Sequence, residues 1–129
     1  MRIFKTRDFS RLARQERIGD GQLVEAIERA KQGLIDADLG GGLIKQRVPR
    51  LGQGRSGGYR VLLAFQFEAR AVFLYAFAKS ERENIAPDAL RYWREVATTY
   101  LKLDRTLLIR LIAEGKLLEV NYHAEDQLP

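Results

Sequence analysis

Tyr59-Arg60-Val61-Leu62-Leu63-Ala64-Phe65-Gln66-Phe67-Glu68-Ala69-Arg70-Ala71-Val72-Phe73-Leu74-Tyr75-Ala76-Phe77-Ala78 decides the fold. Two apolar runs, 59–67 and 71–78, flank the polar step Glu68-Ala69-Arg70. Neither alternates between apolar and polar residues. Runs of this length and composition read as strands covered on both faces, and therefore as central in a sheet. The short link predicts an antiparallel hairpin. Tyr59, Phe65, Phe67, Phe73, Tyr75 and Phe77 are expected in the core. Arg60 interrupts the first run. A charge there either serves a function or pairs with a core acid.

Upstream, Leu43 to Val48 reads as a third strand, halted by Pro49. Lys45 and Arg47 are two apart and project to one face, with Ile44, Gln46 and Val48 on the other. Gly40-Gly41-Gly42 marks a loop or bulge, and Gly52, Gly54, Gly57 and Gly58 make 50–58 a mobile, polar loop. Arg2 to Lys5 is a short strand. Thr6 or Asp8 caps a first helix carrying Phe9, Leu12 and Ala13. After Gly19-Asp20-Gly21, Asp20 caps a second helix with Leu23, Ala26, Ile27, Ala30 and Leu34 at helical spacing. The two make an αα-hairpin.

Downstream, Ala86-Pro87-Asp88 opens a third helix with Leu90, Trp93, Ala97 and Leu101 on its apolar stripe. Asp104 caps a fourth, with Leu107, Leu108, Leu111 and Ile112, stopped by Gly115. The tail 121–129 is polar and reads as frayed. The order β-α-α-β-β-β-α-α predicts one α+β domain over residues 1–129, with helices on one face of the sheet.

Composition narrows the function. The 129 residues include no cysteine and a single histidine, His123. That excludes a thiolate metal site, a cysteine nucleophile, a multi-histidine metal site and paired-histidine ribonuclease chemistry. No apolar run is long enough to span a bilayer, and Met1-Arg2-Ile3-Phe4-Lys5 carries no secretory signal, so a cytoplasmic protein is expected. His123, near the end of the tail, is read as a surface residue. The net charge of +5 is confined to one place. Between Asp38 and Glu68 there is no acid, while Lys45, Arg47, Arg50, Arg55 and Arg60 all fall there. Elsewhere the two signs balance. A locally basic surface attracts a polyanion. The plainer alternative is a solvated basic loop and the wet face of a half-exposed strand.

Lys79 ends the hairpin's second strand and Arg82 follows it. With neighbouring strands, Lys45, Arg47, Arg60, Lys79 and Arg82 converge at one end of the sheet, nearly free of carboxylates. Such a site suits a phosphodiester. RNA cleavage by its own 2′-hydroxyl needs a base for the 2′ proton, a donor for the leaving 5′ oxygen, and cations for the charge that builds on phosphorus. A lysine crowded by cations has a lowered pKa and can act as base, while arginine stays charged and clamps phosphate oxygens. No metal or other cofactor is expected.

The run Asp36-Ala37-Asp38-Leu39-Gly40-Gly41-Gly42-Leu43-Ile44-Lys45-Gln46-Arg47, the step Gly54-Arg55-Ser56-Gly57-Gly58-Tyr59-Arg60, and Phe77-Ala78-Lys79-Ser80-Glu81-Arg82-Glu83-Asn84-Ile85 resemble the RelE/HigB-like toxins of bacterial toxin–antitoxin pairs. The resemblance extends to about residue 120. It implies a RelE-like microbial RNase fold: an N-terminal helical hairpin, a curved antiparallel sheet and C-terminal helices. It implies a ribosome-dependent, metal-independent mRNA endonuclease that cuts in the decoding site, leaves a cyclic phosphate and inhibits translation. Its catalytic positions match Lys45, Arg47, Arg60, Lys79 and Arg82, with Arg50 and Arg55 joining Lys45 and Arg47 in RNA binding. Ser80 stands where some members carry Arg and Ala86 where several carry Tyr, which leaves Lys79 to serve where those residues do elsewhere. The partners implied are mRNA on the ribosome and a cognate antitoxin, often a helix-turn-helix DNA binder, with operator DNA reached only through that complex and no membrane. Two alternatives stay open at this point: a ParE-like inhibitor of DNA gyrase, and a non-catalytic module that binds nucleic acid or a partner protein.

Overall fold

The computed structural model describes residues 1–50, 54–78 and 85–121. Strands β1 (Arg2–Thr6), β2 (Ala37–Gly40), β3 (Leu43–Arg50), β4 (Gly54–Gln66), β5 (Arg70–Ala78) and β6 (Leu117–Val120) form a six-stranded sheet in the order β2-β3-β4-β5-β1-β6. Helices α1 (Arg7–Gln15) and α2 (Asp20–Lys31) follow β1, and α3 (Pro87–Lys102) and α4 (Arg105–Ala113) follow β5. The fold is α+β, as expected. The sheet is mixed, not purely antiparallel, because β1 enters between β5 and β6 and runs parallel to β5.

The β4–β5 hairpin is central, and its turn needs Glu68 at φ 59°. Its side chains alternate between two cores. Val61, Leu63, Ala71 and Phe73 pack with Phe9, Ala13, Leu23 and Ile27 from α1 and α2. Leu62, Ala64, Val72 and Phe77 pack with Phe4, Ala97 and Leu108, under α3 and α4. Helices therefore cover both faces, which corrects the expectation of one. The runs 61–65 and 71–77 are apolar at odd and even positions alike, so a single helical layer would have left half of them wet. Phe67 is the exception among the expected core aromatics: it lies in the turn and is 57% exposed. Trp93 is half-buried, its ring stacked on Tyr75 with centroids 5.3 Å apart.

Local signals hold at most helix starts. Thr6 Oγ1 accepts from the Phe9 N–H at 3.0 Å, and Asp104 Oδ1 accepts from the Leu107 N–H at 2.8 Å. Pro87 occupies the first turn of α3. Asp20 is not the cap of α2. Gly19 is, its N–H donating to Gln22 Oε1 at 2.8 Å, while Asp20 pairs with Lys5 at 2.8 Å.

Three boundaries differ from the sequence expectation. Pro49 does not halt β3; it sits at the register irregularity between Val48 and Arg50, where no ladder N–H is required of it. Strand β4 begins at Gly54, so the expected loop 50–58 is mostly strand, and 51–53 lie outside the described residues. Strands β2 and β6, four residues each, were not expected. The tail from residue 122 lies outside the described residues. Among the described residues no helix is long and apolar enough to cross a membrane.

Helix α3 is pinned across the second face by side chain to backbone bonds. Thr98 Oγ1 donates to the Gly41 carbonyl at 3.0 Å, Arg94 donates to the Leu39 carbonyl, and Arg70 Nη1 donates to the carbonyls of Tyr100 and Leu103 at 2.8 and 3.0 Å. The turn beneath it requires glycine. Gly42 has φ +84°, and a Cβ there would overlap Leu101 Cδ1. Gly42→Ala combines left-handed backbone strain with overpacking and is expected to lower the unfolding free energy by about 3 kcal/mol, read from urea denaturation.

Candidate functional site

The register of the sheet assembles the site. Arg47 in β3 lies directly opposite Arg60 in β4, and Arg60 lies opposite Phe77 in β5. One step along, Lys45 faces Leu62, which faces Tyr75. All these residues share the face covered further along by α3. Lys45 is thus diagonal to Arg60, about 7–8 Å between Cα atoms. Three of the cations singled out in the sequence come together, and Gln46 and Val48 point into the opposite core as expected.

Each of the three has a different environment. Arg47 is half-exposed. Lys45 is half-buried and, among the described residues, has no ion-pair partner. Arg60 is half-buried, and among the described residues no carboxylate pairs with it and its buried Nη1 has no hydrogen-bond acceptor. Burial lowers the Arg60 pKa from its ordinary value, the Arg47 charge lowers it further, and the Asp36 charge opposes both. Arginine remains cationic under such a shift. A buried N–H aimed at nothing is costly, and like charges directly opposite on a ladder add to the cost. Neither cost persists if an anion binds between Arg47 and Arg60.

The sequence reading had the site nearly free of carboxylates, and one acid from outside the basic segment does reach it. Asp36, in the turn between α2 and β2, accepts the Arg47 N–H on Oδ2 at 2.5 Å, and its Oδ1 is 3.6 Å from Arg47 Nε. Arg29 of α2 donates to the Arg47 carbonyl. Both residues act through chain reversals that charge counting along the sequence does not register; only the β2–β3 pairing, with Ala37 opposite Lys45, would have revealed Asp36.

The remaining predicted residues are not brought into the site by what is described. Lys79 and Arg82 lie outside the described residues. Arg50 and Arg55 belong to the backbone of β3 and β4 beyond the Arg47–Arg60 pair, but their side chains lie outside the description. His123 also lies outside it. Among the described residues no cluster of three or more His, Cys, Asp or Glu is arranged to hold a metal ion.

No curated protein matches the chain at a significant level. The model of the family described as the RelE toxin of the RelE / RelB toxin-antitoxin system matches residues 1–120, which spans every element from β1 to β6. A match over nearly the whole chain, on an α+β fold with a cationic face on its central strands, establishes that this chain belongs to the RelE toxin family.

Proposed function

We propose that the protein is a ribosome-dependent mRNA endonuclease that arrests translation, and that Lys45, Arg47 and Arg60 hold the scissile phosphodiester. One observation carries the reading: the buried Nη1 of Arg60, without an acceptor among the described residues, on a residue in register with Arg47. A non-bridging phosphate oxygen supplies the missing acceptor, and two guanidiniums side by side match the charge of a pentacoordinate phosphorane better than that of the ground-state diester. Catalysis of this kind comes from charge fixed in advance where it will be needed.

The reaction is attack of the 2′ oxygen on phosphorus with departure of the 5′ oxygen, giving a 2′,3′-cyclic phosphate and a free 5′-hydroxyl. The 2′ proton passes to a base and a proton reaches the leaving oxygen. Arginine does not exchange protons under working conditions, so among the three described cations proton transfer falls to Lys45. Lys79 and Arg82 complete the reading at the end of β5, and Arg50 and Arg55 extend the track for the RNA backbone. In the cell such a toxin is held by a cognate antitoxin, for which the helix-turn-helix class is proposed, acting in the cytoplasm.

Expression of the wild-type chain without an antitoxin is expected to stop growth and shorten cellular mRNAs. Lys45→Ala is expected to slow mRNA loss about 100-fold, the usual scale for removing a general acid or base. Growth arrest with intact mRNA, and no effect of Lys45→Ala on it, would overturn the reading.

A further inference from the structure

Among the described residues Asp36 is the acid at the site, and its geometry is unequal. The carboxylate is held firmly from behind. The Asp36 N–H donates to Gln46 Oε1 at 2.8 Å. Gln46 is fully buried, and its Nε2 donates to the carbonyls of Ala26 at 3.0 Å and Leu34 at 3.1 Å. Gln46 thereby ties α2, the chain beyond it and β3 together and fixes where Asp36 stands. In front, Oδ2 is engaged at short range by the Arg47 backbone N–H. The Arg47 guanidinium only leans on Oδ1, at 3.6 Å, a distance too long for a hydrogen bond. The Arg47 side chain is 52% exposed and that of Asp36 25%. The acid is anchored; the guanidinium is half-exposed and makes no hydrogen bond to it.

We propose that Asp36 is an internal stand-in for the RNA phosphate, which holds the Arg47 guanidinium in the free protein and yields it when RNA binds. The inference rests on the phosphate-holding reading of the site and adds its regulation. A loose, half-exposed ion pair is weak and opens readily. A phosphodiester offers the guanidinium two oxygens at hydrogen-bond distance in place of one contact at 3.6 Å. In the free state the carboxylate moderates repulsion between Arg47 and Arg60, which face each other across the ladder. In the complex it competes with the phosphate for Arg47. Asp36 is therefore a positioning residue that limits affinity and speeds release of cut RNA.

The test is binding of a short 2′-O-methylated RNA, which has no 2′-hydroxyl to attack, across a series of salt concentrations. Asp36→Asn keeps an oxygen for the Arg47 N–H and removes the charge. It is expected to bind about tenfold more tightly at low salt. The slope of log K against log salt should steepen by up to about 0.7, because the variant leaves no freed carboxylate to recapture a cation when Arg47 turns to the phosphate. In an Arg47→Ala background the same substitution should gain less than about twofold, which separates release of Arg47 from a general loss of negative charge. Asp36→Ser, also neutral, provides a second chain should the first fold poorly, and thermal melting of each checks the fold. Unchanged affinity and slope, or an equal gain without Arg47, would overturn the role of Asp36 while leaving the RNA site standing. No binding by either wild type or variant would overturn the RNA reading itself, and this inference with it.

Discussion

Arg60→Leu is expected to stabilise the protein by about 1 kcal/mol and to abolish its toxicity, two effects of opposite sign from one substitution. The stability gain follows from what Arg60 costs in the free protein. Among the described residues its Nη1 is buried without an acceptor, it faces Arg47 across the ladder, and the Asp36 charge offsets that repulsion only in part. Replacing the half-buried guanidinium with a shorter apolar side chain, next to Phe77, removes that cost. The loss of function follows from the same feature. The guanidinium is kept because a phosphate completes it, and deleting a preorganised donor to a developing anion lowers rates about 10²–10³-fold. Paired measurements of urea stability and of mRNA loss on expression check both halves. A stability loss of more than about 1 kcal/mol with toxicity retained would make Arg60 a structural residue and remove the centre of the proposed site. Functional sites are where such destabilising groups are tolerated.

Gln46→Leu is expected to lower the unfolding free energy by about 3 kcal/mol. The side chain is fully buried and makes three hydrogen bonds, accepting from the Asp36 N–H and donating to the carbonyls of Ala26 and Leu34. Leucine matches the volume, so little of the cost is cavity. The cost is that three backbone groups lose their buried partner at once, at about 1 kcal/mol or more each. Denaturant midpoints measure this directly. The substitution also unties Asp36 from the interior, so the salt dependence of RNA binding should move towards that of Asp36→Asn in whatever fraction remains folded. A loss below about 1 kcal/mol would mean that the junction between α2 and β3 is held by packing alone.

Gln46 also shows where sequence reading stopped. Period-two alternation was enough to set Lys45 and Arg47 on one face and Gln46 on the other, because strand geometry leaves no choice. It did not say that a fully buried glutamine anchors the acid that faces Arg47. The central hairpin was legible because the stretches 61–65 and 71–77 are apolar at odd and even positions alike, and that same feature already required cover on two faces, although helices on one were expected. Arg60 was legible as a lone charge in such a run. Its alignment with Arg47 was not, since cross-strand register depends on the turn and on the irregularity between Val48 and Arg50. β2 is Ala-Asp-Leu-Gly and β6 is Leu-Leu-Glu-Val, each too short to show a period and formed only because an edge was available to pair with. Asp36 stood outside the acid-free segment by sequence and inside the site by topology.

The most direct test is to add the purified protein to ribosomes translating a defined message and map the new mRNA ends. Cuts within the codon in the decoding site, ending in cyclic phosphate, absent without ribosomes and absent with Arg60→Leu, are the predicted result. Inhibited translation or altered DNA supercoiling with every message left whole would contradict it.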